Sequence, residues 1–214
     1  MTKKLIGILC VLLISENVLA QELTATEIIK KVRNNQQGES LYSEVTMTIV
    51  RPTWTREVGI KNWTKGENFS LILITSPAKD KGQAFLKRGK DLWNWMPSID
   101  RMVKMSSSVM GQSWMGSDFT NDDMTKHTSK VEDYTHEREK DEVVRESDCY
   151  KIVLIPKEET AVAWGKIVVW ITKKDFIEIK SEFYDEDGVL INTCNAYDIK
   201  EYQGRRIPSR LEVI

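Results

Sequence analysis

The 214-residue chain contains 31 Lys and Arg against 32 Asp and Glu, a formal net charge of −1 at pH 7. This balance, with no concentrated basic stripe, argues against nucleic acid as a partner. The length suits one domain with a sizeable hydrophobic core.

Residues 1–20 have the pattern of a secretory signal peptide. Lys3 and Lys4 precede an apolar run, and the segment ends in the small residue Ala20. A bilayer-spanning helix takes about 20 apolar residues, so a short N-terminal anchor is the less favoured alternative. We therefore predict a signal peptide over residues 1–20 and one exported domain over residues 21–214.

A helix is predicted directly after that segment. Thr24 and Glu27 have the spacing of a capping box, in which each side chain accepts a hydrogen bond from the other residue's backbone N–H. Gly38 is the residue type that commonly ends a helix. The sequence therefore predicts one amphipathic helix that ends shortly before Gly38.

The rest of the chain has the pattern of β-strands. Val45, Met47 and Ile49 alternate with polar residues, as expected for a strand with one solvent-facing side. The mostly charged residues 136–148 favour a solvated hairpin. Successive strands without helical crossovers favour an antiparallel meander, and about ten strands in one sheet would have to curl or close. The predicted strands are 44–50, 56–63, 68–75, 83–87, 92–96, 148–156, 166–172, 177–184, 189–199 and 206–213.

Motifs for catalysis or metal binding are missing from the sequence. His127 and His136 are the only histidines and are expected at the surface, so a zinc site has little support. No nucleophile elbow or phosphate-binding loop is present. Cys149 and Cys194 lie on predicted strands roughly 14 Å apart, whereas a disulfide needs Cα atoms within about 7 Å, so both are expected to stay free. The sequence thus predicts neither an enzyme nor a cofactor.

Residues 91–124 contain six of the seven methionines that follow the initiator and three of the seven tryptophans. Trp93 and Trp95 alternate on a predicted strand, so a structural role in the core is one interpretation. Cu(I) binding by methionine sulfur is a second, because Met102 and Met105 have a usable spacing. The third is an adaptable apolar surface, since methionine repacks around ligands of different shape.

We favour the third interpretation, as an addition to the core role. Residues 106–113 have no periodicity and can form a movable cover over a curved sheet, and Thr120 with Asp123 favours a short helix start over a calcium loop. Each CH₂ of an acyl chain left in water costs about 0.8 kcal/mol, so a soluble lipid carrier needs an apolar cavity and a lid. The residues predicted to bind lipid are Trp93, Trp95, Met102, Met105, Met110, Trp114, Met115 and Phe119.

Several segments also match the pattern of one known family. They are LWNWMP at 92–97, Arg101, SWMGSDFTNDD at 113–123, DY at 133–134, SPA at 76–78, KG at 81–82 and FYDEDG at 183–188. Together they resemble the LolA-like outer-membrane lipoprotein-sorting protein family of Gram-negative bacteria. The resemblance extends over nearly all of the chain after residue 20, and the block at 116–123 is its most specific part.

The resemblance implies a mainly β fold with few helices: an incomplete antiparallel β-barrel whose concave apolar face is covered by an N-terminal helix and by a helix/loop lid. It implies a periplasmic carrier, without catalysis, that moves lipid or lipoprotein acyl chains between the inner and outer membranes. An RND-type inner-membrane exporter is the implied partner, in transient contact. A lipid-responsive envelope sensor is the alternative function, and a Cu(I)-binding protein is less favoured. Family members usually continue past the last strand, so a chain shortened at its C-terminus is one interpretation, and a natural end at Ile214 is the other.

Overall fold

The structure is a computed structural model that describes residues 22–126, 130–158, 160 and 162–214. The predicted signal peptide and His127 lie outside these described residues. Among the described residues, no helix is long and apolar enough to cross a membrane.

The described part of the chain is mainly β, as predicted. Its α-helices are α1 (Ala25–Gln37) and α2 (Asn121–Lys126). Its strands are β1 (Ser40–Arg51), β2 (Trp54–Lys65), β3 (Phe69–Ser76), β4 (Ala84–Arg88), β5 (Asp91–Met96), β6 (Arg101–Lys104), β7 (Tyr134–Arg138), β8 (Glu142–Val144), β9 (Ser147–Pro156), β10 (Lys166–Thr172), β11 (Glu178–Tyr184), β12 (Leu190–Tyr202) and β13 (Arg205–Val213).

The capping box at the start of α1 is confirmed. The backbone N–H of Thr24 donates to Glu27 Oε2 at 2.8 Å, and the N–H of Glu27 donates to Thr24 Oγ1 at 3.3 Å. Gly38, at a φ of 58° that favours glycine, ends the helix by donating its N–H to the Asn34 carbonyl at 3.0 Å.

The strands form two antiparallel sheets that do not close into a barrel. The first sheet is a meander in the order β1-β2-β3-β4-β5-β6, and the second has the order β13-β12-β11-β10-β9-β7, with β8 paired to β9. The predicted meander is therefore confirmed, but residues 105–133 divide it into two sheets where the sequence predicted one. The hairpin predicted within residues 136–148 is β8–β9. Strands β6 and β7 were not predicted, because both are short and rich in charged residues.

Helix α1 covers one face of the second sheet. Ile28, Ile29 and Val32 on its buried side pack with Ile152 of β9 and Val169 of β10 in one hydrophobic cluster. Each fully buried aliphatic side chain of this kind contributes about 1.5–3 kcal/mol, so packing rather than helix propensity stabilises α1.

The two cysteines are free, as predicted. Cys149 lies on β9 in a cluster on the face of the second sheet away from α1. Cys194 lies on β12 opposite Ser181 of β11, which is opposite Val169 in the cluster beneath α1. Three strand spacings and the thickness of the sheet therefore separate the two sulfur atoms.

His136 of β7 connects α1 to the second sheet and is half-buried, where the sequence predicted a surface residue. Its Nε2 lies 2.8 Å from the carbonyl of Lys130, which can only accept, so Nε2 has the proton. Its Nδ1 then accepts from the hydroxyl of Thr26, 3.0 Å away. Burial lowers the pKa of His136, and the Lys130 carbonyl partly opposes this shift.

We expect the free energy of unfolding to depend on this lowered pKa. The unfolded histidine binds a proton near pH 6.5 and the folded one only at lower pH, so stability falls as the pH is lowered through about 6.5 and is constant above it. Urea unfolding at about pH 7.5 and 5.5 measures the fall, and His136→Gln should reduce it. The same fall in wild type and variant would contradict this account.

Candidate functional site: a cavity beneath the methionine-rich segment

The inner face of the first sheet is apolar because one side of its central strands is almost entirely aliphatic or aromatic. Val58 and Ile60 on β2 alternate with polar or small neighbours. Ile72 and Ile74 on β3 and Phe85 on β4 are buried in the same alternating pattern, between less buried neighbours. Cross-strand pairing of Ile60 with Ile74 and of Ile72 with Phe85 brings these side chains onto one face. All are at most 5% exposed.

Residues 105–124, here called the covering segment, bury that face. Trp114 is fully buried, and its ring centroid lies 5.6 Å from that of Phe85. Met105, Met115 and Met124 pack against the same cluster. These side chains therefore form part of the hydrophobic core of the first sheet.

Two arginines of the first sheet hold the covering segment. Arg51, at the end of β1, donates to both carboxylate oxygens of Asp118, at 2.9 Å and 3.0 Å, and to the Gly116 carbonyl at 3.1 Å. Arg56 of β2 donates to the Met115 carbonyl at 3.3 Å. The bidentate contact of Arg51 with Asp118 fixes the position of the segment as well as adding stabilising energy.

The covering segment also contacts the second sheet. Asn192 of β12 donates to the Asp118 carbonyl at 2.8 Å, and the indole N–H of Trp164 donates to Asp123 at 2.7 Å. Asp123 belongs to α2, whose predicted start is confirmed: the Thr120 N–H donates to Asp123 at 2.8 Å and the Asp123 N–H to Thr120 Oγ1 at 3.0 Å. Asp118 thus contacts both sheets, through Arg51 on the first and Asn192 on the second.

A cavity of about 570 Å³, open to solvent, lies between the inner face of β4–β6 and the covering segment. Its volume is within the range of small-molecule sites, about 300–1,000 Å³. Six of the fourteen lining residues are apolar and eight are polar or charged. The apolar residues are Phe85, Met96, Val103, Met105, Val109 and Met115, and the others are Arg56, Asp80, Gln83, Asn94, Lys104, Ser106, Gln112 and Asn121.

The polar side of the cavity is organised around Arg56. Its Nη2 donates to Asp80 at 2.5 Å, and Gln83 donates to Asn94 at 3.3 Å nearby. The Nε of Arg56 is buried and has no hydrogen-bond partner among the described residues. An unsatisfied buried donor is costly, so this N–H is available for an oxygen of a bound molecule.

The structure distributes the predicted lipid-binding residues over several places. Met105 and Met115 line the cavity. Met110 and Trp114 are buried in the covering segment, and Phe119 is half-buried there, with its carbonyl accepting from the Trp114 N–H at 2.7 Å. None of these last three lines the cavity.

Trp93, Trp95 and Met102 lie on the opposite face of the first sheet. Asn94 pairs with Val103, and both line the cavity. Because neighbouring residues of a strand point to opposite faces, Trp93, Trp95 and Met102 point outward. Sequence reasoning missed Phe85, Met96, Val103 and Val109, although the alternation of β4–β6 contains the signal for the first three.

The proposed copper pair is not assembled. Met102 is 56% exposed on the outer face, whereas Met105 lines the cavity on the inner face. Within the described residues, no group of three or more His, Cys, Asp or Glu side chains could hold a metal ion.

The described thiols are poorly suited to nucleophilic chemistry. Burial raises the pKa of Cys194 to about 11, and burial also raises the pKa of Cys149. Both are therefore protonated at neutral pH, and a protonated thiol is a weak nucleophile.

Solved structures with the same architecture come from several bacteria. A LolA superfamily protein from Nitrosomonas europaea is 26% identical, with a TM-score of 0.78 over 90% of this chain and 86% of that chain. A DUF1329 family protein from Desulfovibrio piger is 22% identical, with a TM-score of 0.82 over 89% and 84%. A domain from Vibrio parahaemolyticus assigned to outer membrane lipoprotein sorting is 24% identical, with a TM-score of 0.78 over 88% and 84%.

In sequence, a family model described as "Uncharacterized protein" matches residues 66–214, well over half of the chain. The chain belongs to the family that this model describes, and its fold is similar to that of the LolA superfamily protein. No curated protein matches it. The two open antiparallel sheets, the helix on one and the cover on the other therefore represent the LolA-like fold predicted from the sequence segments.

We expect Trp114 to be the main attachment of the covering segment. Trp114→Ala should lower the free energy of unfolding by about 3–5 kcal/mol, because a fully buried tryptophan is replaced by a cavity. Urea unfolding followed by circular dichroism measures the change.

The matched control is Trp54→Ala. Trp54 lies in the β1–β2 hairpin and is 46% exposed, so its loss should change the free energy by no more than about 0.5 kcal/mol. Equal effects of the two substitutions would contradict the assignment of Trp114.

Proposed function

We propose that this LolA-like protein is a carrier that binds an acyl chain of a lipid or lipoprotein in the cavity beneath the covering segment. The observation that supports this most is the combination of a preformed cavity of about 570 Å³ with a cover that belongs to no regular sheet or long helix. The lining suits an amphiphile, because it combines six apolar side chains with polar groups that include Arg56.

The size of the hydrophobic effect supports an acyl chain as the occupant. Transfer of a 16-carbon chain out of water is worth on the order of 12 kcal/mol. Met105 and Met115 can follow the shape of such a chain, since methionine has three rotatable bonds. The buried Arg56 Nε can donate to an ester or carboxylate oxygen at the head of the chain.

The cover can open without unfolding the sheet beneath it. Its polar attachments are few, and Arg51 and Asp118 are both partly exposed, with 30% and 45% of their side-chain surface accessible. Exposed ion pairs contribute only about 0–1 kcal/mol. The segment around residues 115–119 is therefore the part most easily released.

We further propose that the carrier works in the periplasm, between an inner-membrane exporter of the RND type and the outer membrane. The predicted signal peptide supports export, and the lipoprotein-sorting assignment of the V. parahaemolyticus domain supports the class of cargo. A binding role rather than catalysis agrees with the cavity, where Arg56 and Asp80 pair with each other.

Substitutions at two neighbouring residues of β6 test the cavity. Val103→Trp fills the cavity from its lining and should reduce uptake of a fluorescent fatty acid at least fivefold, or about 1 kcal/mol, because acyl methylenes then stay in water. Met102→Trp is the matched control, because its side chain lies on the outer face and uptake should be unchanged.

The assay is a fluorescence titration of delipidated protein, with mass spectrometry of lipids extracted from protein purified from the periplasm. No bound lipid and no fatty-acid uptake by the wild type would refute the carrier function. Equal loss in both variants would place the binding site elsewhere.

The Arg51–Asp118 contact should control the rate of uptake. Arg51→Gln removes both hydrogen bonds to the carboxylate, so hydrogen exchange at residues 116–118 and the stopped-flow rate of fatty-acid uptake should both increase severalfold. Arg210→Gln is the matched control, because Arg210 forms a similar pair with Asp198, at 3.0 Å, on the second sheet. Faster exchange without faster uptake would show that the covering segment does not gate the cavity.

A further inference from the structure

The outer face of the first sheet has a continuous row of large apolar side chains. Tyr42 of β1 pairs with Trp63 of β2, which pairs with Leu71 of β3; Leu71 pairs with Leu86 of β4, which pairs with Trp93 of β5. Cross-strand partners share a face, so these five side chains lie side by side across five strands.

This row is open to solvent at one end of the sheet. Tyr42 is 50% exposed, Trp63 38% and Leu71 37%, and Phe69 beside them at the β2–β3 turn is 49% exposed. The rings of Tyr42 and Trp63 contact each other, with centroids 5.3 Å apart. We call Tyr42, Trp63, Phe69, Leu71, Leu86 and Trp93 the outer aromatic face. Contiguous exposed apolar surface of this kind marks an interaction site.

Basic residues surround the same end of the sheet. Lys65 lies at the end of β2, and Arg88 and Lys90 lie at the β4–β5 turn; all three are exposed. Two acids of the outer face are paired, Glu44 with Lys61 at 3.4 Å and Asp91 with Lys104 at 2.6 Å. A third, Glu57, lies nearer the opposite end of β2.

The charged residues of the whole chain are also distributed unevenly between the first sheet and the rest. Residues 40–104, which form the first sheet, contain eleven Lys and Arg but six Asp and Glu, whereas the full chain has one acid in excess. The first sheet is therefore positive and the remainder of the chain negative. A surface that is both aromatic and positive is complementary to an anionic one.

We propose that the outer aromatic face docks on the headgroup region of an anionic lipid bilayer. Tyrosine and tryptophan have an apolar ring and a polar tip, which suits the boundary between headgroups and acyl chains. Basic residues beside them attract anionic lipids. A second copy of the chain is less suited to the same face, because it would bring two positive surfaces together.

This proposal is independent of the carrier function. The outer aromatic face and the cavity lie on opposite sides of β4–β6, so a substitution on one side leaves the other side intact. A protein that docked in this way would bring the cavity to a membrane without inserting the covering segment.

The test is co-sedimentation of the mature chain with phosphatidylglycerol vesicles and, separately, with phosphatidylcholine vesicles. We expect binding to the anionic vesicles, reduced by high salt, and little binding to the neutral ones. Lys65→Glu/Lys90→Glu should weaken binding by about fivefold or more for each charge, and Tyr42→Ser/Trp63→Ser should weaken it at both low and high salt.

Matched controls come from equally exposed residues elsewhere. Trp54→Ser replaces an exposed tryptophan at the opposite end of the first sheet, and Lys174→Glu replaces an exposed lysine between β10 and β11. Both controls should bind as wild type. If Tyr42→Ser/Trp63→Ser fails to fold, the charge variant still decides the question, because its side chains are exposed, at the end of β2 and in the β4–β5 turn.

Three results would overturn the proposal. The first is no wild-type binding to anionic vesicles, and the second is equal binding by the charge variant and the wild type. The third is a concentration-dependent dimer in analytical ultracentrifugation that Trp63→Ser dissociates, which would assign the face to a second copy. Val103→Trp should retain vesicle binding and Tyr42→Ser/Trp63→Ser should retain fatty-acid uptake, so failure of docking and failure of the carrier function are distinguishable.

Discussion

The packing of Trp114 against Phe85 is the contact on which the rest of the arrangement depends. The inner face of the first sheet is apolar and needs a cover, and the chain supplies residues 105–124 for this purpose. That segment contains only a short 3₁₀ turn at Ser107–Val109 and the six-residue helix α2, neither of which could form alone. Burial of one large ring therefore positions a segment whose local sequence would not fold by itself.

The two faces of the first sheet have separate roles because strand alternation divides them. On β6, Val103 lines the cavity while Met102 pairs with Trp95 on the outer face. A shift of one residue in the pairing of β5 with β6 would exchange these faces. Cavity and outer aromatic face thus depend on the same register, and the short β5–β6 connection, with Asp100 in a left-handed conformation, helps to set it.

Local signals in the sequence predicted local structure well. The capping residues Thr24 and Glu27 and the alternation on β1 were sufficient for α1 and the first strand. The position of the covering segment depends instead on contacts between distant residues, such as Arg51 with Asp118 and Asn192 with Asp118, and no short motif encodes them. Trp93 and Trp95 were predicted to bind lipid because they are large and apolar. Asn94, which lies between them on β5, faces the cavity, so strand alternation would have placed both tryptophans on the outer face.

The energetics limit which part of the cover can move. Exposing a side chain the size of Trp114 costs several kcal/mol, comparable with much of the stability of a domain of this size. Its indole N–H, which has no partner among the described residues, shows that the ring is held by packing and not by a polar contact. The contacts around it are weaker, since Met105 and Met115 are only partly buried and Arg51 is partly exposed. We therefore expect the covering segment to open on either side of Trp114. The Trp114 ring stays in place, and Met105 and Met115 move. A cavity that changes shape around one fixed point can hold acyl chains of different length without loss of the fold.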